Sequence, residues 1–439
     1  MAISRRQFVQ GLALAGAGSL AASPFASNAL ADRSRPTSTP TAPSVPTKTG
    51  VSGRVVVIGG GMGGTSVAKY LRLWGGDKLN VTLVERSPAY TSNIMSNGVL
   101  TGQTTLSALQ YRHATLASRY GVTVVNAQAQ GIDSGAKKVT LSTGTSLTYD
   151  RLVVAPGLTF DAVPGLSVAD YDTRFPHAWQ AGPQTDFLRT QLLGMRPGGT
   201  VVMTIPPAPY RCPPGPYERA CLIAAWLKIN KPGSRVVILD ANPKIMAEPI
   251  AFTEAFTRIH ADVITYVPNA VLDHIDPATK TVYTSALTVK ADVLNPIPPH
   301  RAGTIAAQSG LVNVAGRWAG VDVLSYESSA VPGIHVIGDA IGTTMPKSGH
   351  VANAQAKVTA DAITRIFSGR PLDSAPATSS ACYSPITMST ASWLTGVYHY
   401  DPATKTMQLS KIAEAPSITA GNYQDMAKWF RGLMTDTFA

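Results

Sequence analysis

The chain has 439 residues, of which 44% are hydrophobic and 14% are charged, so it has enough apolar sequence for two or three globular domains and is not a disordered protein. Its formal net charge is +11, but lysine and arginine are dispersed, without a dense run or a basic patch interleaved with aromatic residues. This distribution argues against nucleic-acid binding. The three cysteines form neither C-x-x-C nor C-x-x-C-H, and the histidines lack metal-ligand spacing, so no metal site and no haem attachment are predicted.

The N-terminus has the features of an export signal. Ser4-Arg5-Arg6-Gln7-Phe8 precedes an apolar stretch rich in alanine and glycine, and Ala29-Leu30-Ala31 is a suitable cleavage site. The apolar stretch is too short to span a bilayer, so residues 1–31 predict a twin-arginine signal peptide rather than a membrane anchor. We expect a periplasmic protein that is not an integral membrane protein. Residues 32–53 are rich in proline, serine and threonine, which predicts a disordered linker.

The first domain is predicted to begin at Arg54, with a buried strand that runs into a glycine-rich turn and a helix over residues 62–74. Gly59, Gly61 and Gly64 fit G-x-G-x-x-G. In this pattern the first glycine permits the tight turn, the second lets backbone approach a pyrophosphate, and the third lets the helix pack on the sheet. The N-terminus of the helix then presents unpaired N–H groups to phosphates.

A second strand, residues 80–85, ends in Glu85, which lies 21 residues after Gly64. This is near the spacing expected for a carboxylate that binds the ribose of a dinucleotide. The sequence therefore predicts a dinucleotide site at this sheet edge. Its predicted contacts in this part of the chain are Gly59, Gly61, Gly63, Gly64, Glu85 and Arg86.

Further strands complete the predicted first domain. Residues 122–126 form a strand, and residues 138–142 and 146–149 form a hairpin. An apolar strand from Tyr149 then ends in the turn Ala155-Pro156-Gly157, which is expected to return the chain to the cofactor. Near the end of the chain, an apolar strand from Gly333 ends in Gly338-Asp339, and Ser348 and Gly349 precede a helix over residues 352–367. We expect all these turns to face the cofactor.

A second βαβ-like unit lies between these segments, with strands over residues 199–205 and 234–240 and a helix over residues 217–227. Its connecting turn, residues 206–219, is rich in proline and lacks the glycines that a pyrophosphate needs. This unit is therefore not expected to bind a nicotinamide cofactor. The predicted fold class is α/β, with two Rossmann-like domains and an α+β C-terminal region for dimerisation or partner contact. The FAD domain is predicted over 54–157 and 291–370, the second domain over 158–290, and the C-terminal region over 371–439.

The mature chain resembles the flavoprotein subunit of flavocytochrome c sulfide dehydrogenase. The matching stretches are residues 54–64, 175–182, 210–220, 297–303, 326–329, 337–340, 345–349 and 436–438. The resemblance implies a periplasmic FAD enzyme of sulfur oxidation. Such an enzyme oxidises sulfide at a redox-active disulfide beside the flavin and transfers electrons to a c-type cytochrome.

Two departures from the family pattern affect the predicted chemistry. The resemblance assigns the active-site disulfide to Cys212 and a cysteine after the Gly-Asp-Ala strand, and Ile341 occupies that second position. The cysteine that carries FAD covalently in the family falls at Asn93, so FAD is expected to be held non-covalently.

The remaining catalytic candidates are Cys212, Glu218 and Lys347. Cys212 acts alone or pairs with Cys221, and Cys382 is a further candidate only if the C-terminal region folds over the flavin. Glu218 is either a base beside the disulfide or an acid that favours a helix N-terminus. Lys347 either places a positive charge near the flavin or is a surface lysine.

The sequence thus predicts an FAD-dependent oxidoreductase that oxidises sulfide or a related reduced sulfur compound and donates to a c-type cytochrome. The alternative is an accessory flavoprotein of a sulfur-oxidation system without its own sulfide turnover, since Ile341 stands in the place of the second cysteine. Quinone reduction is less favoured, because residues 423–434 form only a modest amphipathic stretch.

Overall fold

The computed structural model describes residues 44–439, so the predicted signal peptide and residues 32–43 of the predicted linker lie outside the described residues. Residues 44–52 contain no helix or strand, but they lie against the first domain. The amide of Asp77 donates to the carbonyl of Pro46 at 3.0 Å, and Val51 is buried. This end of the predicted linker is therefore packed rather than free. No helix within residues 44–439 is long and apolar enough to cross a membrane.

The first domain opens with two parallel strands joined by a helix, as predicted. Val55 pairs with Val81 and Ile58 with Val84, and these β-branched residues form the buried centre of the sheet. The elements of this part are β1 (Gly53–Ile58), α1 (Met62–Gly75), β2 (Leu79–Glu85), β3 (Ala89–Thr91), α2 (Asn97–Thr101), β4 (Gln110–Arg112), α3 (Ala114–Tyr120), β5 (Thr123–Asn126), β6 (Ala129–Asp133), β7 (Lys138–Leu141), β8 (Ser146–Thr148), β9 (Arg151–Val154) and β10 (Leu158–Phe160).

The second domain is a four-stranded parallel sheet in the order β13-β12-β11-β17. Val201 pairs with Val293, so the strand over residues 293–296 belongs to this sheet. The boundary predicted between residues 290 and 291 therefore falls too early. The elements are α4 (Asp170–Thr173), α5 (Pro183–Gly194), β11 (Thr200–Ile205), α6 (Gly215–Asn230), β12 (Arg235–Asp240), α7 (Pro249–Glu254), β13 (Ile264–Val267), β14 (Leu272–Asp276), β15 (Thr281–Thr284), β16 (Thr288–Lys290) and β17 (Val293–Pro296).

The chain then returns to the first sheet, as the discontinuous FAD domain requires. Ile334 pairs with Leu152, and the seven-stranded order is β21-β22-β23-β9-β1-β2-β5. The short antiparallel pair of β10 and β18 lies where the chain passes between the domains. This part contains β18 (His300–Ala302), α8 (Thr304–Gln308), β19 (Val312–Val314), β20 (Trp318–Ala319), β21 (Val321–Asp322), β22 (Glu327–Ser328), β23 (Ile334–Val336) and α9 (Gly349–Phe367).

The C-terminal region is an antiparallel sheet followed by a helix: β24 (Ala377–Pro385), β25 (Ala391–Asp401), β26 (Thr406–Glu414) and α10 (Ala420–Phe438). Strand β24 packs against α9 of the first domain and also against α6 of the second. Helix α10 packs against α1. The C-terminal region therefore bridges the two domains, and it brings Cys382 on β24 to the place where they meet.

Candidate active site

One cavity gathers residues from both domains and from the C-terminal region. It encloses about 1270 Å³ of space, part of which is open to solvent. The residues of its wall that the sequence predicts are Gly61, Gly63, Asn93, Ala155, Gly157, Cys212, Glu218, Gly338, Asp339, Ser348 and Gly349. The cavity therefore brings together most of the predicted cofactor contacts and two of the three predicted catalytic residues.

The glycines of the first turn have two different roles. A Cβ on Gly59 would lie 2.2 Å from the carbonyl oxygen of Ala155, and one on Gly64 would lie 1.7 Å from that of Gly59. Gly59 and Gly64 do not line the cavity, and they are required by close backbone packing. Gly61 and Gly63 line the cavity, and a Cβ on Gly61 would meet only Tyr90, at 3.8 Å. The N-terminus of α1 is therefore open to a phosphate.

Besides Gly59 and Gly64, three predicted cofactor contacts lie outside the cavity wall. Glu85 lies next to the turn, where its carboxylate accepts hydrogen bonds from the amides of Gly60 at 2.6 Å and Ser87 at 2.8 Å. Arg86 is exposed, and Pro156 is absent from the wall although both its neighbours in the turn belong to it. Glu85 remains placed to reach a ribose from the edge of the turn, whereas the structure brings neither Arg86 nor Pro156 to the cavity.

Asp339 supplies an acceptor that no group within residues 44–439 uses. Its Oδ1 is buried without a hydrogen-bond partner and lines the cavity, while Oδ2 lies 3.7 Å from the guanidinium of Arg211. A buried acceptor without a partner is costly, so it fits a ligand that donates from a hydroxyl, such as the ribityl chain of FAD. The residues present therefore fit FAD.

Helix α9 gives the cavity a second helix N-terminus. The hydroxyl of Ser348 accepts from the amide of Val351 at 3.2 Å and so caps the helix. Gly349 is packed closely, since a Cβ there would lie 3.0 Å from Met62. Asn93, at the predicted position of covalent attachment, accepts from the amide of Ala181 at 2.7 Å. Non-covalent binding of FAD stays a prediction.

Lys347 does not line the cavity. Its ammonium donates to the carbonyls of Asp339 at 2.9 Å and Ile341 at 2.6 Å, and lies 3.7 Å from the centre of the Trp318 ring. Burial lowers the pKa of this lysine to about 8. The side chain therefore braces the turn after β23 and is buried rather than on the surface, and its place near the flavin stays a prediction.

The loop that carries Cys212 is fixed by backbone contacts. Cys212 has a left-handed backbone with φ +57°, its amide donates to the carbonyl of Lys347 at 2.8 Å, and its carbonyl accepts from Gly215 at 2.9 Å. A Cβ on Gly215 would lie 2.8 Å from the sulfur of Cys212. The glycine that starts α6 therefore makes room for the thiol. Burial, reinforced by Glu218, raises the pKa of Cys212 to about 12.

Cys382 is the second thiol of the cavity. It lines the same wall as Cys212, and it is close enough that the charge of Cys212, after burial, raises its pKa. Cys221 is fully buried in the core of the second domain, and it is not part of the wall. The C-terminal region thus folds over the cavity, which was the condition for a role of Cys382.

Ile341, at the position that the resemblance assigns to the second cysteine, does not line the cavity. It is fully buried in the core of the first domain, where it forms an isolated bridge with Ala319. Cys212, Cys221 and Cys382 are all free thiols in the structure, and of these Cys212 and Cys382 share the cavity wall.

Glu218 lies in the first turn of α6, as an acid favoured by a helix N-terminus would, and it also lines the cavity, while its role as a base stays a prediction. Its carboxyl accepts from the amide nitrogen of Asn97 at 2.8 Å, and burial raises its pKa to about 7. A carboxyl that titrates near neutrality beside two thiols is suited to proton transfer. Arg219, which follows, is buried and held by the carbonyls of His177 and Ala178.

Several wall residues were not predicted from the sequence. They are Met62, Tyr90, Ile94, Met95, Ser96, Asn97, Ala178, Trp179, Arg211, Pro214, Gly215, Arg219, Ile337, His350, Ala352, Ala381, Tyr383, Pro385 and Trp429. Arg211 precedes Cys212 and His350 follows Gly349, so their positions next to predicted site residues could have identified them. Trp429 belongs to α10 and reaches the wall only through tertiary packing, so no local pattern identifies it.

The end of α10 anchors the C-terminal region beside the cavity. Phe438 stacks on Tyr90 with the ring centres 5.3 Å apart. Asp436 accepts from Tyr70 at 2.5 Å and from Asn353 at 2.9 Å, and it pairs with Lys357 at 2.8 Å. Because Tyr90 lines the cavity, the closing residues of the chain support its wall.

The fold and the cavity define an FAD-dependent oxidoreductase with two dinucleotide-binding-like domains. The family described as "Sulfide dehydrogenase [flavocytochrome c] flavoprotein chain, central" matches residues 185–298, and "Pyridine nucleotide-disulphide oxidoreductase" matches residues 53–184. A flavoprotein chain of sulfide dehydrogenase (flavocytochrome c) from Chlorobaculum thiosulfatiphilum is 52% identical over 46 residues, which cover 94% of that relative and 10% of this chain. These matches support the resemblance to flavocytochrome c sulfide dehydrogenase flavoproteins, each over part of the chain.

Two further relatives agree with this assignment. A sulfide-quinone reductase from Aquifex aeolicus (strain VF5) is 25% identical over 356 residues, which cover 75% of this chain and 80% of the relative. The solved structure of the sulfide:quinone oxidoreductase from Aquifex aeolicus superimposes with a TM-score of 0.71 at 18% identity, over 88% of this chain and 92% of that one. At that identity the superposition supports the fold alone.

Proposed function

We propose that the chain oxidises sulfide at a redox pair formed by Cys212 and Cys382, and that it transfers the electrons to a c-type cytochrome. The observation that carries this proposal is the meeting of the two cysteines in one cavity with Glu218, although they come from different regions of the chain. A cysteine that is buried alone in a hydrophobic core is usually an inert thiol, and Cys221 is buried in this way. Two thiols that share a cavity wall in a flavoprotein family favour redox chemistry.

The chemistry begins with the pair as a disulfide. Hydrosulfide attacks one sulfur, so that a bond forms between sulfide and one cysteine, the bond between the cysteines breaks, and the other cysteine leaves as a thiolate. Sulfide loses two electrons and the cysteine pair gains them. A second hydrosulfide then attacks the outer sulfur of the cysteine persulfide, so that the sulfur leaves as hydrogen disulfide and the cysteine is released as a thiol. Both cysteines are then reduced, and FAD, when bound, would supply the two-electron acceptor that re-forming their disulfide requires.

Glu218 is the group placed to move the proton in this sequence. Its pKa of about 7 means that it can accept a proton from hydrogen sulfide near neutral pH and return it as the product leaves. Asn97 holds the carboxyl through the hydrogen bond at 2.8 Å, and this bond favours the ionised form. Arg219 is held rigidly by backbone carbonyls and adds a fixed positive charge beside the carboxyl.

A cytochrome acceptor is proposed because the family is named for a flavocytochrome c, and a quinone is the second candidate. The second candidate is favoured by the sulfide-quinone reductase, which aligns with 75% of this chain. The two acceptors are separated by adding either oxidised cytochrome c or a soluble quinone to the sulfide-reduced protein. We expect reoxidation of the flavin by the cytochrome to be faster, and the reverse order would favour the quinone.

Periplasmic location after twin-arginine export is part of the same proposal and rests on Arg5 and Arg6. Replacement of both arginines by lysine is expected to keep the FAD-loaded protein out of the periplasmic fraction. Unchanged export of that variant would contradict this part. The accessory role without sulfide turnover depended on a missing cysteine partner, and Cys382 removes that reason.

The test is anaerobic addition of sulfide to the FAD-loaded protein, followed by the flavin absorbance. We expect rapid bleaching in the wild type and a rate about 100-fold lower in Cys212→Ser and in Cys382→Ser, because each lacks one half of the pair. Cys221→Ser is the matched control and should bleach at the wild-type rate. Bleaching of Cys382→Ser at the wild-type rate would show that the proposed pair is wrong.

A further inference from the structure

Glu248 is a buried carboxyl that the proposed reaction does not use. It lies just before α7, is fully buried, and has a left-handed backbone with φ +50°. Its Oε1 accepts from the hydroxyl of Ser384 at 2.6 Å, and its Oε2 has no hydrogen-bond partner among residues 44–439. A left-handed non-glycine residue and a buried carboxyl each cost free energy. Because both unfavourable features occur at Glu248, we infer that this residue has a specific role.

The charged groups that act most strongly on Glu248 are acidic. From α6 it is faced by Glu218, and from β26 by Glu414, and both are acidic. The hydroxyls of Ser384 on β24 and Ser392 on β25 favour its ionised form, although Ser392 does not meet hydrogen-bond geometry. Burial is the largest influence, and it raises the pKa of Glu248 to about 8. The carboxyl is therefore uncharged at neutral pH and becomes charged in mildly alkaline solution.

The hydrogen bond from Ser384 links Glu248 to the strand that carries Cys382. Ser384 and Cys382 stand at alternate positions on β24, so their side chains project from the same face of that strand. The charge of Glu248 also acts directly on Cys382, whose pKa it raises after burial and Cys212. A second link joins the segment of Glu248 to another strand of the same sheet, since the amide of Ala251 donates to the carboxylate of Glu414 on β26 at 3.0 Å.

We propose that Glu248 is a positioning residue for Cys382: its bond with Ser384 fixes the strand face that carries the thiol, and the charge state of its carboxyl sets how readily that thiol ionises. The proposal rests on the proposed function only in treating Cys382 as a reactive thiol. When Glu248 loses its proton, a negative charge appears near Cys382 without a cation to balance it, so the thiolate becomes harder to form.

The test measures alkylation of Cys382 by iodoacetamide in the reduced, FAD-loaded protein, with the modified peptide quantified by mass spectrometry. Only the thiolate reacts, so the rate reports ionisation. In the wild type we expect the rate to rise with pH and then to rise less steeply above about pH 8, where Glu248 ionises. Glu248→Gln keeps the shape but cannot ionise, so its rate should continue to rise and be about threefold above the wild type near pH 9.5.

Two further variants separate the two parts of the proposal. Ser384→Ala loses the link but keeps the carboxyl, so Cys382 should react faster than in the wild type at every pH, and the bend should move to higher pH because the Ser384 hydroxyl favours the ionised carboxyl. Glu254→Gln is the matched control, because Glu254 lies on the same segment and pairs with Arg258. Its profile should superimpose on that of the wild type.

A Glu248→Gln profile that superimposes on the wild type from about pH 6.5 to pH 9.5 would overturn the proposal. If Glu248→Gln does not bind FAD, Ser384→Ala decides, and an unchanged Cys382 rate in that variant would also overturn it. The readout needs no sulfide. Failure of this inference is therefore distinct from failure of the proposed function, which the sulfide bleaching experiment reports.

Discussion

The two domains share a parallel strand-turn-helix-strand layout, but their turns differ in chemistry. In the first, glycines leave the N-terminus of α1 open to the cavity. In the second, prolines and Cys212 fill the corresponding place, and the first amide of α6, on Gly215, donates to the carbonyl of Cys212 at 2.9 Å. The same topology therefore gives a phosphate-binding turn in one domain and a thiol-bearing turn in the other.

The acids at the ends of the second strands differ in the same way. Glu85 bonds only to backbone amides at the edge of the first turn. Asp240 is fully buried and accepts from the hydroxyls of Tyr217 at 2.7 Å and Tyr266 at 3.0 Å, and from Asn242 at 2.7 Å. Its acceptors are satisfied within the protein, which leaves none for a ribose. An equivalent position in a repeated fold thus does not imply an equivalent ligand.

The largest expected effect is from Gly64→Ala. The added Cβ would lie 1.7 Å from the carbonyl oxygen of Gly59, and backbone on both sides cannot yield cheaply. We expect a loss of about 3 kcal/mol or more in the free energy of unfolding, with little FAD retained. Thermal unfolding and the ratio of flavin to protein absorbance check this, and a stable, fully loaded variant would contradict the account.

The corresponding change in the second turn, Gly215→Ala, should be milder. Its Cβ would meet the side chains of Cys212 at 2.8 Å and Trp179 at 2.9 Å, and side chains can move. We expect the protein to fold and bind FAD, with a loss of about 1 kcal/mol in stability and sulfide bleaching slowed about tenfold by the displaced thiol. Loss of FAD in this variant would show that the two turns are less distinct than proposed.

The two acids offer a matched pair. Glu85→Ala should weaken FAD binding about tenfold while stability changes little, because it removes the carboxylate at the ribose position. Asp240→Ala should leave FAD affinity unchanged but lower the free energy of unfolding by about 2 kcal/mol, since it removes the acceptor for two buried hydroxyls. Fluorescence titration with FAD and thermal unfolding distinguish them, and equal loss of FAD affinity would remove the contrast.

The last prediction concerns the dependence of stability on pH through Glu248. Its pKa is raised in the folded state to about 8 from an ordinary value near 4.5, so the folded protein binds the proton more tightly than the unfolded chain. Stability contributed by this group is therefore lost as pH rises between these two values. Relative to the wild type, Glu248→Gln should gain on the order of 2 kcal/mol between about pH 6 and pH 9. Thermal unfolding at both pH values measures the difference, and a constant difference would contradict the prediction.

The first domain could be predicted because its signals are local. The glycine pattern, the acid after β2 and the Gly338-Asp339 turn each follow from neighbouring residues, and the structure brings most of them to the cavity wall. The boundary before residue 293 was wrong because it depends on the pairing of Val201 with Val293, which is a long-range contact that residue pattern does not encode.

The catalytic part was predicted less well for the same reason. Cys212 and Glu218 lie in one distinctive loop and were identified, whereas Cys382 reaches the cavity only because β24 packs across both domains. The resemblance assigned the partner position to Ile341, whose side chain is buried in the core of the first domain. Lys347 was expected near the flavin or at the surface, and the carbonyls that hold its ammonium could not be foreseen.

The most direct test of the central claim is the disulfide map of the oxidised, FAD-loaded protein, obtained by alkylation, proteolysis and mass spectrometry without a reductant. The account predicts a peptide pair linked through Cys212 and Cys382, with Cys221 recovered as an unpaired, alkylated thiol after unfolding. A link between Cys212 and Cys221, or recovery of Cys382 as a free thiol, would contradict it.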